Sequence, residues 1–400
     1  MRTPVVVVAG QGDSDRVAGT LMDTPGTLVV GHEYDGQVVR RWVSIMRNGE
    51  SSTTELPLEL SNGCVCCTTR NDLLVLLRRL HRRDDVKRIV VLLAPWLEPE
   101  PICVAINEVR VHVGPGYVDG PAARDVRIDA VVTTVDSDNW LPRAVGAEEL
   151  DDGRTVAQVV VGQAEFADLL VLSQPDAATL AVLRRLAPLV RVTVGIDRLE
   201  QVLGDLDANT RRGRQRDPHD PLLSGQPPLD PFGEVTLMEF TARRPFHPER
   251  LHDAIDVLLD GVVRTRGRAF VANRLDDVMS IESAGGGVLV EHVGTWLAAM
   301  GPNELADADP ERRALAAMGW DDRFGDRHTS MAVLVCGAQP ADIDSALCDA
   351  LLTDDELSRP DEWSQYPDPF DDRHADPCDD LIDVLDEVTA HPNHHGEEDR

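Results

Sequence analysis

The chain has 400 residues, 42% of them hydrophobic, which is more than one core usually organises. With 39 Lys+Arg against 70 Asp+Glu the net charge is −31, a balance that argues against gripping bare phosphate backbone or an anionic lipid surface. No run approaches the ~20 apolar residues of a membrane-spanning helix, and the opening MRTPVVVVAGQGDSD lacks a secretory signal pattern, so the expected compartment is the cytoplasm.

In chain order, the first half alternates strand and helix. Val5–Ala9 is a β-branched run of the kind buried on both faces of a sheet, and Thr27–Val30, Ile89–Leu93, Ala130–Val135, Leu169–Ser173 and Arg191–Val194 follow it. Helical stretches lie between them at Asn71–Arg83, Gln158–Ala167 and Ala177–Leu186. This alternation predicts an α/β domain over 1–206 with a mostly parallel sheet. Residues 207–232 are polar and rich in Pro and Gly, and read as a linker.

Beyond the linker the rhythm changes. Strands at Glu234–Phe240, Val263–Ala272, Val278–Glu282, Val288–Val293 and Thr329–Val335, with helices at His247–Leu259 and Ala341–Leu352, predict a smaller α+β domain over 233–353. From 354 to 400 the composition is strongly acidic: residues 351–400 hold 17 acids and 3 arginines, and a disordered tail is expected.

Two stretches carry chemistry. The first strand runs into VVVVAGQGDSDRVAGTL, where a phosphate-binding loop belongs. Gly10 and Gly12 could let backbone N–H groups wrap phosphate, but such a loop also needs a Lys. The only lysine of the chain, Lys87, lies before a different strand, and Asp13 and Asp15 put negative charge where phosphates would sit.

The second stretch is NGCVCCTTR. Cys64, Cys66 and Cys67 are three of only 7 cysteines, placed just ahead of a helix. Reduced thiols so clustered read as ligands or redox groups, and soft thiolates suit Zn²⁺ or Cu(I) over Mg²⁺. A closed structural zinc wants four ligands, so a local three fits a sensing or hand-over site. A redox trio and a remnant without metal stay open as alternatives. Cys103, Cys336 and Cys348 read as core cysteines. The tail offers a rival metal tract in His374, Cys378, His391, His394 and His395.

The segment NGCVCCTTRNDLLVLLRRL resembles the GCxCC segment of CobW-like proteins, a metallochaperone branch of the P-loop GTPases. GHEYDG is similar to that family's Asn-Glu-Phe-Gly segment, VVLLAPWLEPEPI stands at its second nucleotide motif, and ADLLVLSQPD at its guanine-reading motif. TARRPFHPERLHDAI resembles the start of the family's C-terminal domain. The resemblance covers about residues 3–353. It implies a P-loop-type domain, a CobW C-terminal-like domain and a zinc site at the three cysteines.

The departures are equally specific. Leu92 stands where the family has its Mg²⁺-linked acid and Pro95 where it has a glycine. The guanine-reading motif appears as Ser173-Gln174-Pro175-Asp176, so Asp176 alone remains. With the Lys, the acid and the Asn-Lys pair all missing, efficient GTP hydrolysis is not expected. Gly10, Gly12 and Asp176 mark a degenerate nucleotide site, and GTP is a doubtful cofactor.

Phrases such as VVRRW, LAPWLEPEPI and GRTVAQVVVGQAEFADLLVL resemble an actinobacterial subgroup. That likeness implies a zinc-responsive adaptor that brings a basic ribosome hibernation factor, of the protein Y type, to the ribosome under zinc starvation. The ribosome would be reached indirectly or through proteins, with no membrane and no direct nucleic-acid contact. Zinc would act by repositioning the arginine-rich end of the helix that follows the cysteines. The alternative is a GTP-dependent zinc metallochaperone.

Overall fold

The computed structural model describes residues 1–370, apart from 48, 62, 208, 209, 216–221 and 224. The tail residues His374, Cys378, His391, His394 and His395 lie outside the described residues.

The N-terminal domain is an eight-stranded sheet in the order β4-β3-β2-β5-β1-β6-β7-β8. Its strands are β1 (Thr3–Gly10), β2 (Thr27–Tyr34), β3 (Val39–Arg47), β4 (Glu50–Leu58), β5 (Arg88–Leu92), β6 (Val126–Val135), β7 (Leu169–Leu172) and β8 (Arg191–Val194). All neighbours are parallel except β2–β3 and β3–β4. The helices between them are α1 (Ser14–Met22), α2 (Val65–Leu80), α3 (Pro99–Glu108), α4 (Trp140–Ala144), α5 (Val156–Phe166), α6 (Ala177–Leu186) and α7 (Leu199–Gly204).

The period-2 side-chain alternation of β1 explains why helices cover both faces. Val5, Val7 and Ala9 pack with Leu73 and Leu77 of α2 and Ile102 and Ile106 of α3. Val6 and Val8 pack with Val17 and Leu21 of α1 and Leu199 of α7.

The hairpin β3–β4 is absent from the sequence expectation. Every residue of β4 but the last is exposed, so no apolar pattern advertises it. The missed signal was Asn48-Gly49, the dipeptide most typical of two-residue hairpin turns.

The C-terminal domain is a five-stranded antiparallel sheet in the order β12-β11-β10-β13-β9. It comprises β9 (Val235–Ala242), β10 (Val262–Ala269), β11 (Asp277–Ala284), β12 (Gly287–Thr295) and β13 (Thr329–Cys336). Helices α8 (Pro248–Ala254), α9 (Pro302–Asp307), α10 (Pro310–Met318) and α11 (Pro340–Ala350) accompany it.

The two domains share one apolar cluster, with Val156 and Val160 of α5 meeting Leu237, Val263 and Leu334. Across the same contact Glu165 pairs with Arg264 at 3.1 Å and with Arg266 at 2.9 Å. Gly285 has φ +49, and a Cβ there would lie 2.5 Å from Ala157 Cβ, so the glycine run permits the close approach.

Two expected boundaries shift. The start of the supposed linker is docked: the N–H of Arg212 donates to Asp168 Oδ1 at 2.9 Å, and Arg211 lies 5.0 Å over the ring of Phe166. The fold also continues past 353, through α12 (Asp354–Leu357) and a 3₁₀ turn at Pro360–Gln365. Trp363 is buried there against Ala272 and Leu352, and Arg250 binds Glu356 at 2.7 Å. An acidic composition conceals this strap because one tryptophan and a few ion pairs suffice to hold it.

Candidate metal centre and the closed phosphate loop

Cys64 is the N-cap of α2, with Cys66 and Cys67 inside the first turn. The helix therefore begins at Val65 rather than at Asn71, and the cysteines belong to it. The approach is fixed locally. Gly63 turns the chain at φ +75, and the Cys64 N–H donates to Ser61 O at 2.9 Å. Thr68 Oγ1 donates to Cys64 O at 2.7 Å and accepts from the Ser61 N–H at 2.8 Å. Cys64 Sγ accepts the Cys67 N–H at 3.3 Å, so a sulfur does the work that Ser or Asp commonly does at this position.

Cys64 Sγ and Cys66 Sγ are 3.0 Å apart, and all three sulfurs lie within 4.8 Å of one another. Tetrahedral thiolate sites with bonds of about 2.3 Å place sulfurs about 3.8 Å apart, a spacing that lies within the 4.8 Å limit of this trio. Cys66 is exposed, Cys64 half-buried and Cys67 buried, so solvent reaches the group through Cys66. Among the described residues this is the one cluster of three or more metal-capable side chains. A helix N-terminus also favours negative charge, which suits thiolates.

Further along α2, Asp72 binds His32 Nε2 of β2 at 2.8 Å and Arg41 of β3 at 2.7 Å. This clasp ties the cysteine helix to the hairpin and lies outside the sequence-based site set. GHEYDG supplied half of its signal.

The far end of α2 overturns one expectation, because its arginines are engaged. Arg78 is 2% exposed, pairs with Asp125 at 2.7 Å, and donates to Gly120 O at 3.1 Å and Val118 O at 2.8 Å. Arg82 lies 3.5 Å over the ring of Tyr117. The helix is anchored at its start, middle and end, so no arginine-rich end stands ready to swing.

The loop after β1 is short, with only residues 11–13 separating strand from helix. Gly10 has φ +115, and a Cβ there would sit 2.2 Å from Thr134 O. Thr134 Oγ1 accepts the Gly12 N–H at 3.2 Å, contacts Ser14 Oγ at 2.7 Å, and donates to Ala9 O at 3.3 Å. The amide that would face phosphate is thus taken by a neighbouring hydroxyl.

Gln11 reaches across to Pro95 O. Gln163, 1% exposed, donates to Pro95 O and Leu97 O, each at 2.8 Å, which sews the loop after β5 to α5. Asp176 caps α6 by accepting the Thr179 N–H at 2.6 Å, and that bond holds its carboxyl below the ordinary range. The remnant residues Gly10, Gly12 and Asp176 are all engaged with their own neighbours.

Of the remaining cysteines, Cys103 is fully buried and its thiol is pushed up by desolvation. Cys336 is half-buried at the end of β13, whereas Cys348 stands exposed on α11, which corrects its reading as a core residue. No helix among the described residues is long and apolar enough to cross a membrane.

Comparison with known proteins matches two family models. One, "CobW/HypB/UreG, nucleotide-binding domain", covers residues 32–195, and the other, "Cobalamin synthesis protein cobW C-terminal domain", covers 235–351. The zinc chaperone Rv0106 of Mycobacterium tuberculosis is 61% identical over 393 residues, covering 98% of this chain and 99% of that protein. The zinc-regulated GTPase metalloprotein activator 1 of Dictyostelium discoideum is 26% identical over 343 residues, covering 79% of this chain and 70% of that protein. Among solved structures, Zn(II)-bound YjiA GTPase from E. coli aligns at 14% identity and TM-score 0.38, over 88% of this chain and 100% of that one.

Proposed function

The chain belongs to the CobW family, and from that premise we propose that it is a zinc-responsive adaptor built on a degenerate GTPase scaffold. It holds zinc at Cys64, Cys66 and Cys67 and recruits a basic ribosome hibernation factor, of the protein Y type, to the ribosome when zinc is scarce. The observation that carries this reading is a contrast: the thiol trio is reachable from solvent, while in the loop after β1 the Gly12 amide is taken by Thr134 and Gln11 is tied to Pro95 O.

Bound zinc supplies positive charge and bonds that gather the three thiolates. Cys64 is both ligand and helix cap, so occupancy bears directly on the first turn of α2. Asp72 and Arg78 tie the rest of that helix to β2, β3 and the 113–121 segment, the elements that a change at the turn would reach. The client side rests on charge: a −31 chain attracts a cationic partner at long range and repels naked ribosomal RNA.

A GTP-dependent zinc metallochaperone is the second reading, favoured by the name of the relative at 61% identity. It needs the phosphate loop to open. Co-sedimentation with ribosomes, from cells with and without the hibernation factor at low and high zinc, separates the two. The adaptor requires sedimentation only with the factor present and zinc low. Equal sedimentation in all four states sinks it. Mg²⁺-dependent GTPase activity abolished by Gly12→Leu establishes the chaperone instead.

A further inference from the structure

At the end of the large sheet opposite the loop after β1 lies a cleft of about 670 Å³. It forms where the N-terminal ends of β1 and β6 meet α3 and the docked segment after α7. Four arginines line it: Arg2 before β1, Arg127 at the start of β6, and Arg212 and Arg214 on the docked segment. Glu108 is the single carboxylate on the lining. For a chain of net charge −31, such a concentration of guanidinium is unexpected.

The placement is enforced. Arg212 has φ +50, alone among the described non-glycine residues in lying in the left-handed region. Its N–H is held by Asp168, a 2%-exposed carboxylate that also accepts the Val131 N–H at 2.8 Å. Left-handed backbone at a non-glycine residue persists only where surroundings demand it, and such positions cluster at ligand clamps. Asp129 pairs with Arg127 at 3.2 Å and with Arg212 at 3.5 Å, while Arg2 donates to Ala123 O and Arg214 to Arg211 O and Thr210 O. Arg212 Nε is buried with no acceptor among the described residues. Val104 and Ile128 give the cleft an apolar wall.

We propose that this cleft binds the polyphosphate group of a small molecule, at a site separate from the degenerate phosphate loop. Planar guanidinium forks grouped on one lining match the oxygens of one compact, multiply charged anion, which would take them over from their present partners. The volume is that of a small-ligand site.

The test is calorimetry on the full-length protein at low salt, with pyrophosphate and separately with GTP. Arg2→Gln/Arg127→Gln, two exposed positions, is expected to weaken pyrophosphate by about tenfold or more, the scale of losing a charge-assisted contact. Its unliganded melting temperature should stay unchanged, and Gly12→Leu should bind as the parent does. GTP binding about tenfold tighter than pyrophosphate, with the same arginine dependence, assigns the ligand to nucleotides and the apolar wall to the base or sugar. Equal affinities assign it to polyphosphate alone. Absence of binding by the parent, an unaffected double variant, or loss of binding only in Gly12→Leu overturns the proposal.

Discussion

Two strand-to-helix turns of the N-terminal domain began with comparable chemical promise and ended differently. At the start of α1 the backbone amide of Gly12, the hydroxyl of Ser14 and the amide of Gln11 are all taken up by Thr134 and Pro95. At the start of α2 the local bonds run through the backbone, Thr68 and the capping sulfur of Cys64, and the three sulfurs stay gathered with one of them exposed. The difference teaches that similar strand-to-helix turns are told apart by which of their polar groups the fold itself occupies. At the first turn internal hydrogen bonds occupy the groups that would meet a phosphate, whereas at the second the three sulfurs stay clustered with Cys66 exposed.

The largest effect is expected at the thiols. Cys64→Ser/Cys66→Ser/Cys67→Ser should abolish zinc binding measured by chelator competition. Thiolate zinc sites contribute about 10–16 kcal/mol of apparent binding energy in small peptides. Serine still caps α2, so the melting temperature of the apo form should hardly change. Zinc retained by that variant breaks the comparison and moves the ligands to His374, Cys378, His391, His394 and His395.

Next comes the far end of the same helix. Arg78→Ala leaves Asp125 without its partner and takes a donor from Val118 O and Gly120 O, the latter still accepting from Val111 N–H, with an expected cost of about 3–5 kcal/mol in denaturant unfolding. A cost below about 1 kcal/mol would show that Arg78 does not anchor the end of α2.

Gln163→Ala sharpens the other half of the comparison. It removes the buried amide that closes the loop after β5 and should cost about 1–3 kcal/mol, read as a lower melting temperature. GTP affinity should not rise; a rise would mean that the closure is only a latch.

The smallest effect is at Asp176. If the last guanine-motif residue now serves as a helix cap, Asp176→Ala costs about 1 kcal/mol and Asp176→Asn almost nothing. The lowered folded-state pKa fixes the sign: the carboxylate's contribution is present above about pH 4, the unfolded value, and is lost as pH falls through the folded value. Unfolding monitored against pH should show this acid limb in the parent and lack it in Asp176→Asn. An unchanged limb would remove Asp176 from the capping role.

Local pattern determined much of this protein. The β-branched runs of β1, β5 and β6 and the apolar run of β7 declare a buried parallel sheet because both of their faces must be apolar, and α6 is matched at Ala177–Leu186. The cysteine trio was legible because residues so near in sequence have little freedom to be distant in space. Even the absence of a phosphate lysine was readable by inspection.

Contacts between residues far apart in sequence were decided only by the tertiary structure. Thr134 meets Gly12 across 122 positions, and Gln163 meets Pro95 across 68, so no window of sequence could show the loop to be closed. The polar β4 and the strap carrying Trp363 are held by one paired edge or one anchored ring, which leaves no periodic trace. The arginine cleft gathers Arg2, Arg127 and Arg212 from three separate segments, because a parallel sheet brings the starts of its strands to one end whatever their order in the chain.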